Sequence, residues 1–188
     1  MTTRTFSLLA VLFAAACTGG DTETIDTGST DAQAVADQLA ALLSEQALED
    51  EHLATFDALD FEVFTNQEWD RLHESHADDI LVHWPDGHTT EGIEVHIADL
   101  QAMFVWAPDT RIEEHPLRIA SGDLTAVTGV MEGTFTEPMP IGDGQFVEPT
   151  GQAFRIDMAT IGLWGDDGVM TEEWLFWDNA SFMAQIGL

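Results

Sequence analysis

The stretch Ala153–Trp164 (AFRIDMATIGLW), followed after Gly165-Asp166-Asp167-Gly168 by Val169–Trp177 (VMTEEWLFW), decides the fold. Both segments are rich in β-branched and aromatic residues and are bounded by Gly and Asp, the pattern of strands between turns. In the second, strand alternation puts Thr171, Glu173, Leu175 and Trp177 on one face and Met170, Glu172, Trp174 and Phe176 on the other. Upstream lie two more strand-like stretches, Leu124 to Phe135 and Arg111 to Ser121, and before Pro108 a helix from Ile93 to Trp106. Ile80 to Trp84 reads as a strand stopped by Pro85-Asp86-Gly87. Trp69 to Ala77 reads as a short helix, and Asp178 to Ile186 as a closing one. Val35, Leu39, Leu42 and Leu43, then Leu53, Phe56, Leu59 and Val63, recur at helical spacing and predict one broken helix or two. Helices first and a run of antiparallel strands after them is an α+β order: N-terminal helices gathered on one side of a curved antiparallel sheet whose concave face encloses a pocket. Pro138 to Gly151, with its interspersed Pro and Gly, is too long for a tight hairpin and reads as a flap over that pocket.

Composition narrows the chemistry. The 188 residues suffice for one domain and an appendage, and 45% hydrophobic content with 11 Phe and 6 Trp can build a core. Against 35 Asp and Glu stand 5 Arg and no Lys, a net charge of -30 that repels phosphate backbones and so excludes nucleic-acid partners. Without Lys there is no Schiff base and no Walker-type phosphate loop. The single Cys, Cys17, removes disulfides, Cys-rich zinc sites and a thiolate nucleophile from the folded body.

Cys17 instead belongs to an address. The apolar run Phe6 to Ala16 has the length of a signal-peptide core and is too short to span a bilayer. Residues 1–16 are read as a signal peptide, and Ala14-Ala15-Ala16-Cys17 as a lipidation site; the alternative is ordinary cleavage and secretion. Residues 17–46 are a flexible acidic linker with the first helix at its end, and 47–188 the folded domain. The expected location is the cell envelope, at the outer membrane or cell surface, with the membrane engaged only through the lipid.

Several motifs in order, Glu91-Gly92-Ile93, Ala107-Pro108-Asp109, Gly133-Thr134-Phe135, Pro149-Thr150-Gly151, Asp167-Gly168, Glu172-Glu173-Trp174, Asp178 and Gln185-Ile186-Gly187, resemble the SnoaL-like polyketide cyclase and ester cyclase family. The resemblance implies a nuclear-transport-factor-2-like cone, a bent antiparallel sheet closed by helices around a deep cavity, and pairing of two copies through the convex sheet face. It also implies aldol-type ring closure by side-chain acid–base chemistry without metal or cofactor. Aligned through Asp178 and the terminal Gln185-Ile186-Gly187, however, the cyclase aspartate falls on Leu175, its histidine partner on Ile161 and its asparagine near Val82, none of which moves a proton.

Glu173, two residues from Leu175 on the same strand face, is therefore the first candidate for a proton-transferring or ligand-anchoring group, and His83 the second. Trp84, His88, Trp106, Leu175 and Trp177 are candidate ligand contacts, suited to a small hydrophobic or aromatic molecule. His96 and His115 are read as structural. His73 and His76, three apart on the presumed helix with Asp79, His83 and His88 nearby, give no recognised metal-ligand spacing, so neither metal nor cofactor is expected. Three functions stay open: a cofactor-free cyclase, isomerase or lyase, a small-ligand-binding protein built on the same cone, and a structural dimer with a filled cone.

Overall fold

The computed structural model describes residues 27–188. Residues 1–16, read above as a signal peptide, and Cys17 lie outside the described residues. Helix α1 runs unbroken from Thr27 to Ala58 and passes into a π-helical turn, Leu59–Phe64, then a 3-10 turn, Trp69–Glu74. Along α1 the expected break is absent: Val35, Leu39, Leu42 and Leu43 stay exposed, whereas from His52 onward one side is buried through Phe56, Leu59 and Val63. Of the acidic residues between these halves, Glu49 and Glu51 are good helix formers and Glu49 also accepts from the Gly122 N–H, so the weaker former Asp50 does not interrupt the helix.

The strands are β1 (His76–His83), β2 (Thr89–Glu91), β3 (Arg111–Ile112), β4 (Leu117–Ser121), β5 (Leu124–Thr134), β6 (Met139–Gly142), β7 (Gln145–Val147), β8 (Ala153–Trp164) and β9 (Met170–Trp177). Helix α2 spans Ile93–Trp106 and α3 Asn179–Gln185. The main sheet has the order β2-β1-β9-β8-β5-β3, with β4 also paired to β5. It is antiparallel except where β1 lies parallel to β9, because the chain returns to the first strand only at its end. Asp178 caps α3, its carboxylate accepting from the backbone N–H groups of Ala180 and Ser181.

Three local expectations are corrected. The stretch 111–121 divides into β3 and β4 at Glu113–Pro116, where Pro116 has no N–H to give a ladder. Residues 138–151 contain the exposed hairpin β6–β7, which turns at Gly142-Asp143-Gly144 with all three at positive φ, and none of its residues lines the main pocket. His76 is not helical but opens β1, the helix having stopped at Glu74.

Two apolar clusters form the core. One gathers Phe64, Phe104, Trp106, Phe135, Phe154 and Phe182, and the other Phe56, Leu59, Leu72, Ile80, Trp164 and Met170. Leu100, Met158 and Trp177 pack against both, and all three line the pocket that lies where the clusters meet.

Candidate active site

The sheet supplies one wall of the pocket: His76 at the start of β1 and Trp84 just past its end, Met158 and Thr160 from β8, and Glu173, Leu175 and Trp177 from β9. Helix α2 adds His96, Asp99, Leu100 and Met103, spaced three and four apart so that they share one helix face. The π turn contributes Leu59 and Asp60. The cavity is narrow, about 70 Å³, against the roughly 300–1,000 Å³ of ordinary ligand pockets. Met103, Met131 and Met158 line it, and their unbranched side chains can repack around a guest.

Two polar constellations meet this space. On the sheet side, Glu173 is 4% exposed and its Oε2 faces His96 Nε2 at 3.4 Å and His76 Nε2 at 3.8 Å. Both imidazoles are also buried. Neither distance comes with a formed hydrogen bond: Glu173 Oε2, His76 Nε2 and His96 Nδ1 have no partner among the described residues. The other nitrogen of His76, Nδ1, is 2.9 Å from Ser75 Oγ, whose own proton goes to the Leu72 carbonyl at 3.1 Å. Burial holds His96 down to about 4, so the ring is neutral at pH 7. Burial pushes the Glu173 carboxyl up, but contact with His76 and the charges of both histidines outweigh it, and the group lies below the ordinary carboxylate range.

On the helix side, Asp60 Oδ2 is 2.8 Å from His115 Nε2, and His115 Nδ1 is 2.7 Å from Asp57 Oδ1. The His115 side chain is 1% exposed, while Asp57 reaches solvent and pairs with Arg118. Phe61 and Phe56 flank the His115 ring. Burial raises Asp60 above the usual aspartate value against the pull of His115. Burial lowers His115, but its bonds to Asp60 and Asp57 dominate and raise it. Both groups of the Asp60–His115 pair thus hold a proton more tightly than they would when free.

Glu173, Trp84, Leu175 and Trp177 all stand on the pocket wall. His83 does not: Val82 turns inward beside Glu173, so His83 turns to the opposite sheet face, where it stacks on Trp174 and bonds Glu172 Oε1 at 2.7 Å. His88 sits in the exposed turn after β1, stacked on Trp84 and bonded to Asp86. Trp106 is a core residue, packed among Phe135, Phe154 and Phe182. Ile161 lies opposite Trp174 on the outer side, and the pocket residue across from Leu175 is Thr160. The residues missed by sequence reasoning are Asp60, His76, His96, Asp99 and His115. Only the α2 spacing of His96, Asp99 and Leu100 could have signalled one shared face.

The model of the SnoaL-like polyketide cyclase family matches residues 56–186. The chain belongs to that family. Among solved structures, a SnoaL-like protein of Jannaschia sp. CCS1 is 22% identical with a TM-score of 0.64, covering 74% of this chain and 93% of that one. IdmH of Streptomyces antibioticus is 26% identical with a TM-score of 0.61, covering 73% of this SnoaL-like chain and 99% of its own. A protein of ketosteroid isomerase-like fold from Catenulispora acidiphila DSM 44928, solved with trimethylamine, is 17% identical with a TM-score of 0.57, covering 73% and 92%. These likenesses agree with an α+β cone of the nuclear-transport-factor-2-like kind. A comparison with curated proteins finds no match.

Proposed function

We propose that this SnoaL-like protein is an acid–base enzyme of cyclase or isomerase type acting on a small, largely apolar substrate, with Asp60 as the proton-transferring group. The observation that carries this reading is the line Asp60–His115–Asp57, which joins a carboxylate on the pocket wall to one at the surface through a buried imidazole. His115 donates to both carboxylates and orients Asp60; it is a positioning residue. Ring closure or isomerisation of a carbonyl compound takes a proton from carbon and returns one to oxygen or to another carbon, so no proton is consumed. Asp60 can serve both steps, and Asp57 and solvent restore its ionisation through His115. Glu173 takes the ligand-anchoring part at the opposite wall, and Trp84, Leu175 and Trp177 enclose the apolar body.

Deuterium exchange tests this. Small cyclic ketones and 1,3-dicarbonyl compounds in D₂O should exchange their α-hydrogens faster with the protein than without it. Asp60→Asn should remove roughly a hundredfold or more of that acceleration with the fold intact by circular dichroism. His115→Gln should lose less and shift the pH profile. Exchange in Asp60→Asn equal to the wild type would refute the assignment. Leu175, an apolar residue on the pocket wall where the resemblance places the cyclase aspartate, favours one second reading, a small-ligand carrier. Saturable binding of such ketones with no exchange would establish it.

A further inference from the structure

We propose that His76, His96 and Glu173 form a three-ligand site for one divalent transition-metal ion, with its open coordination position directed into the pocket. The inference goes beyond the acid–base reading and is independent of Asp60, and it replaces the metal-free site expected from the sequence.

The separations come first. His76 Nε2 and His96 Nε2 stand 3.8 and 3.4 Å from Glu173 Oε2, and all three atoms lie within 4.8 Å of one another. A charge-assisted N–H···O bond closes to about 2.7–2.9 Å, so these contacts are too long for that. Ligands about 2.0–2.1 Å from a zinc-like ion at tetrahedral angles are about 3.4 Å from each other, which is the His96–Glu173 separation; the His76–Glu173 separation, 3.8 Å, is longer and would close on a bound ion.

The tautomer comes second. A serine hydroxyl has one proton, and Ser75 gives it to the Leu72 carbonyl. With its proton so placed, Ser75 Oγ can accept from His76 Nδ1–H at 2.9 Å. In the neutral ring this leaves Nε2 with its lone pair turned toward the carboxylate oxygen of Glu173. A cation between Nε2 and Oε2, a proton or a metal ion, lets two such atoms face each other in a buried site, and the length of the contact favours the ion over the proton. A hydrogen bond from the far nitrogen of a ligating histidine is also the usual outer-shell support of a metal site.

Burial and charge come third. Side-chain exposures are 1% for His76, 3% for His96 and 5% for Glu173, and His76 Nε2 and Glu173 Oε2 are unpartnered. Such groups are costly to bury without a partner. No arginine of the described residues lines the pocket, whereas Asp60 and Asp99 do. All three candidate ligands line the cavity, which leaves a fourth position open to a guest, the mark of a catalytic rather than a closed structural site. Two imidazoles and a carboxylate without sulfur suit zinc, iron(II), cobalt(II) or manganese(II).

The test uses the chelator-treated full chain titrated with Zn²⁺ and Co²⁺ in high salt, so that surface carboxylates are screened. One ion per chain should bind, and Co²⁺ should give the visible bands and the nitrogen scattering in X-ray absorption of an imidazole-ligated ion. Glu173→Gln and His96→Gln should each weaken binding at least a hundredfold. Ser75→Ala, a milder change, should weaken it roughly 10–100-fold. Asp60→Asn should keep the ion, which separates this result from the acid–base proposal, and the exposed His73→Ala should bind as the wild type does. Zn²⁺ uptake that disappears in high salt, a Co²⁺ spectrum without nitrogen ligation, or unchanged affinity in folded Glu173→Gln would each overturn the site. Should that variant not fold, the wild-type cobalt spectrum and Ser75→Ala decide the matter.

Discussion

Lowering the pH from 6.5 to 4.5 should destabilise the metal-free protein through one buried ring, His96. The ring is 2% exposed and its pKa is depressed by burial from 6.5 to about 4. Above pH 6.5 it is neutral in both states and adds nothing to the pH dependence. Below 6.5 the unfolded chain takes up a proton that the folded chain refuses, so stability falls with pH at up to about 1.4 kcal/mol per unit, a loss on the order of 3 kcal/mol by pH 4. Other groups act differently. Glu173, held below its ordinary value, contributes stability that is present above 4.5 and lost only as pH falls further. His115 is raised, so its contribution is complete below 6.5 and lost as pH rises through its folded value. Asp60, also raised, binds its proton first in the folded state and opposes the trend on the acid side. Urea midpoints at half-unit steps, for wild type and His96→Gln, report the ring together with its coupling to Glu173, because groups that do not touch it cancel in the difference. The variant will be less stable at pH 7 for packing reasons, so the slope and not the offset is read. Parallel pH dependences for the two proteins between 6.5 and 4.5 would show that His96 is not held neutral by burial.

Two further outcomes follow from packing. Gly133→Ala should destabilise by about 1–3 kcal/mol, since a Cβ there would stand 2.6 Å from Phe154 Cζ and 3.0 Å from Thr110 Oγ1, both buried; a melting temperature equal to wild type would contradict it. Removing residues 1–46 should leave the thermal midpoint within a degree or two, because Val35, Leu39, Leu42 and Leu43 are 55–63% exposed and bury no core surface; a drop of several degrees in calorimetry would show that they do.

The sheet was legible where alternation is regular. β8 alternates over 12 residues and β9 from Glu172 to Trp177, where Glu173 follows from counting two back from Leu175; at the start of β9 a register shift buries Met170 and exposes Thr171, against the expected faces. β1 defeats the same counting. His76 pairs with Met170, and five residues later Leu81 pairs with Glu172, only two residues on, so the strand carries extra residues between Ala77 and Ile80. A short helix from Trp69 to Ala77 is the natural reading of such a segment, and it put His76 beside His73 on one helix face. Asp60 on the π turn and the imidazole of His115 lie 55 residues apart in sequence, and no local pattern announces a contact of that range. Which of His83 and Trp84 turns inward was hard to read for the opposite reason. β1 alternates normally at that end, and only the register against β9 decides which of Val82 and His83 faces Glu173.

The distribution of charge then constrains what the pocket can hold. Arg71, Arg111, Arg118 and Arg155 are all engaged by carboxylates away from the cavity, so every permanent side-chain cation of the described residues is held outside it. Inside stand Asp60, Asp99 and Glu173 with two imidazoles. A free carboxylate or phosphate on the substrate would meet this wall without a compensating donor, at a cost that the low dielectric of the site amplifies. Neutral carbonyl compounds meet no such penalty, because their oxygen needs only a polarising partner while, in the proposed function, Asp60 would face the adjacent carbon. An ion held by His76, His96 and Glu173 would supply that partner and neutralise the nearest carboxylate at once. The two polar walls of the pocket would then act on adjacent atoms of one substrate, the first drawing electron density toward oxygen and the second accepting the proton that this loosens.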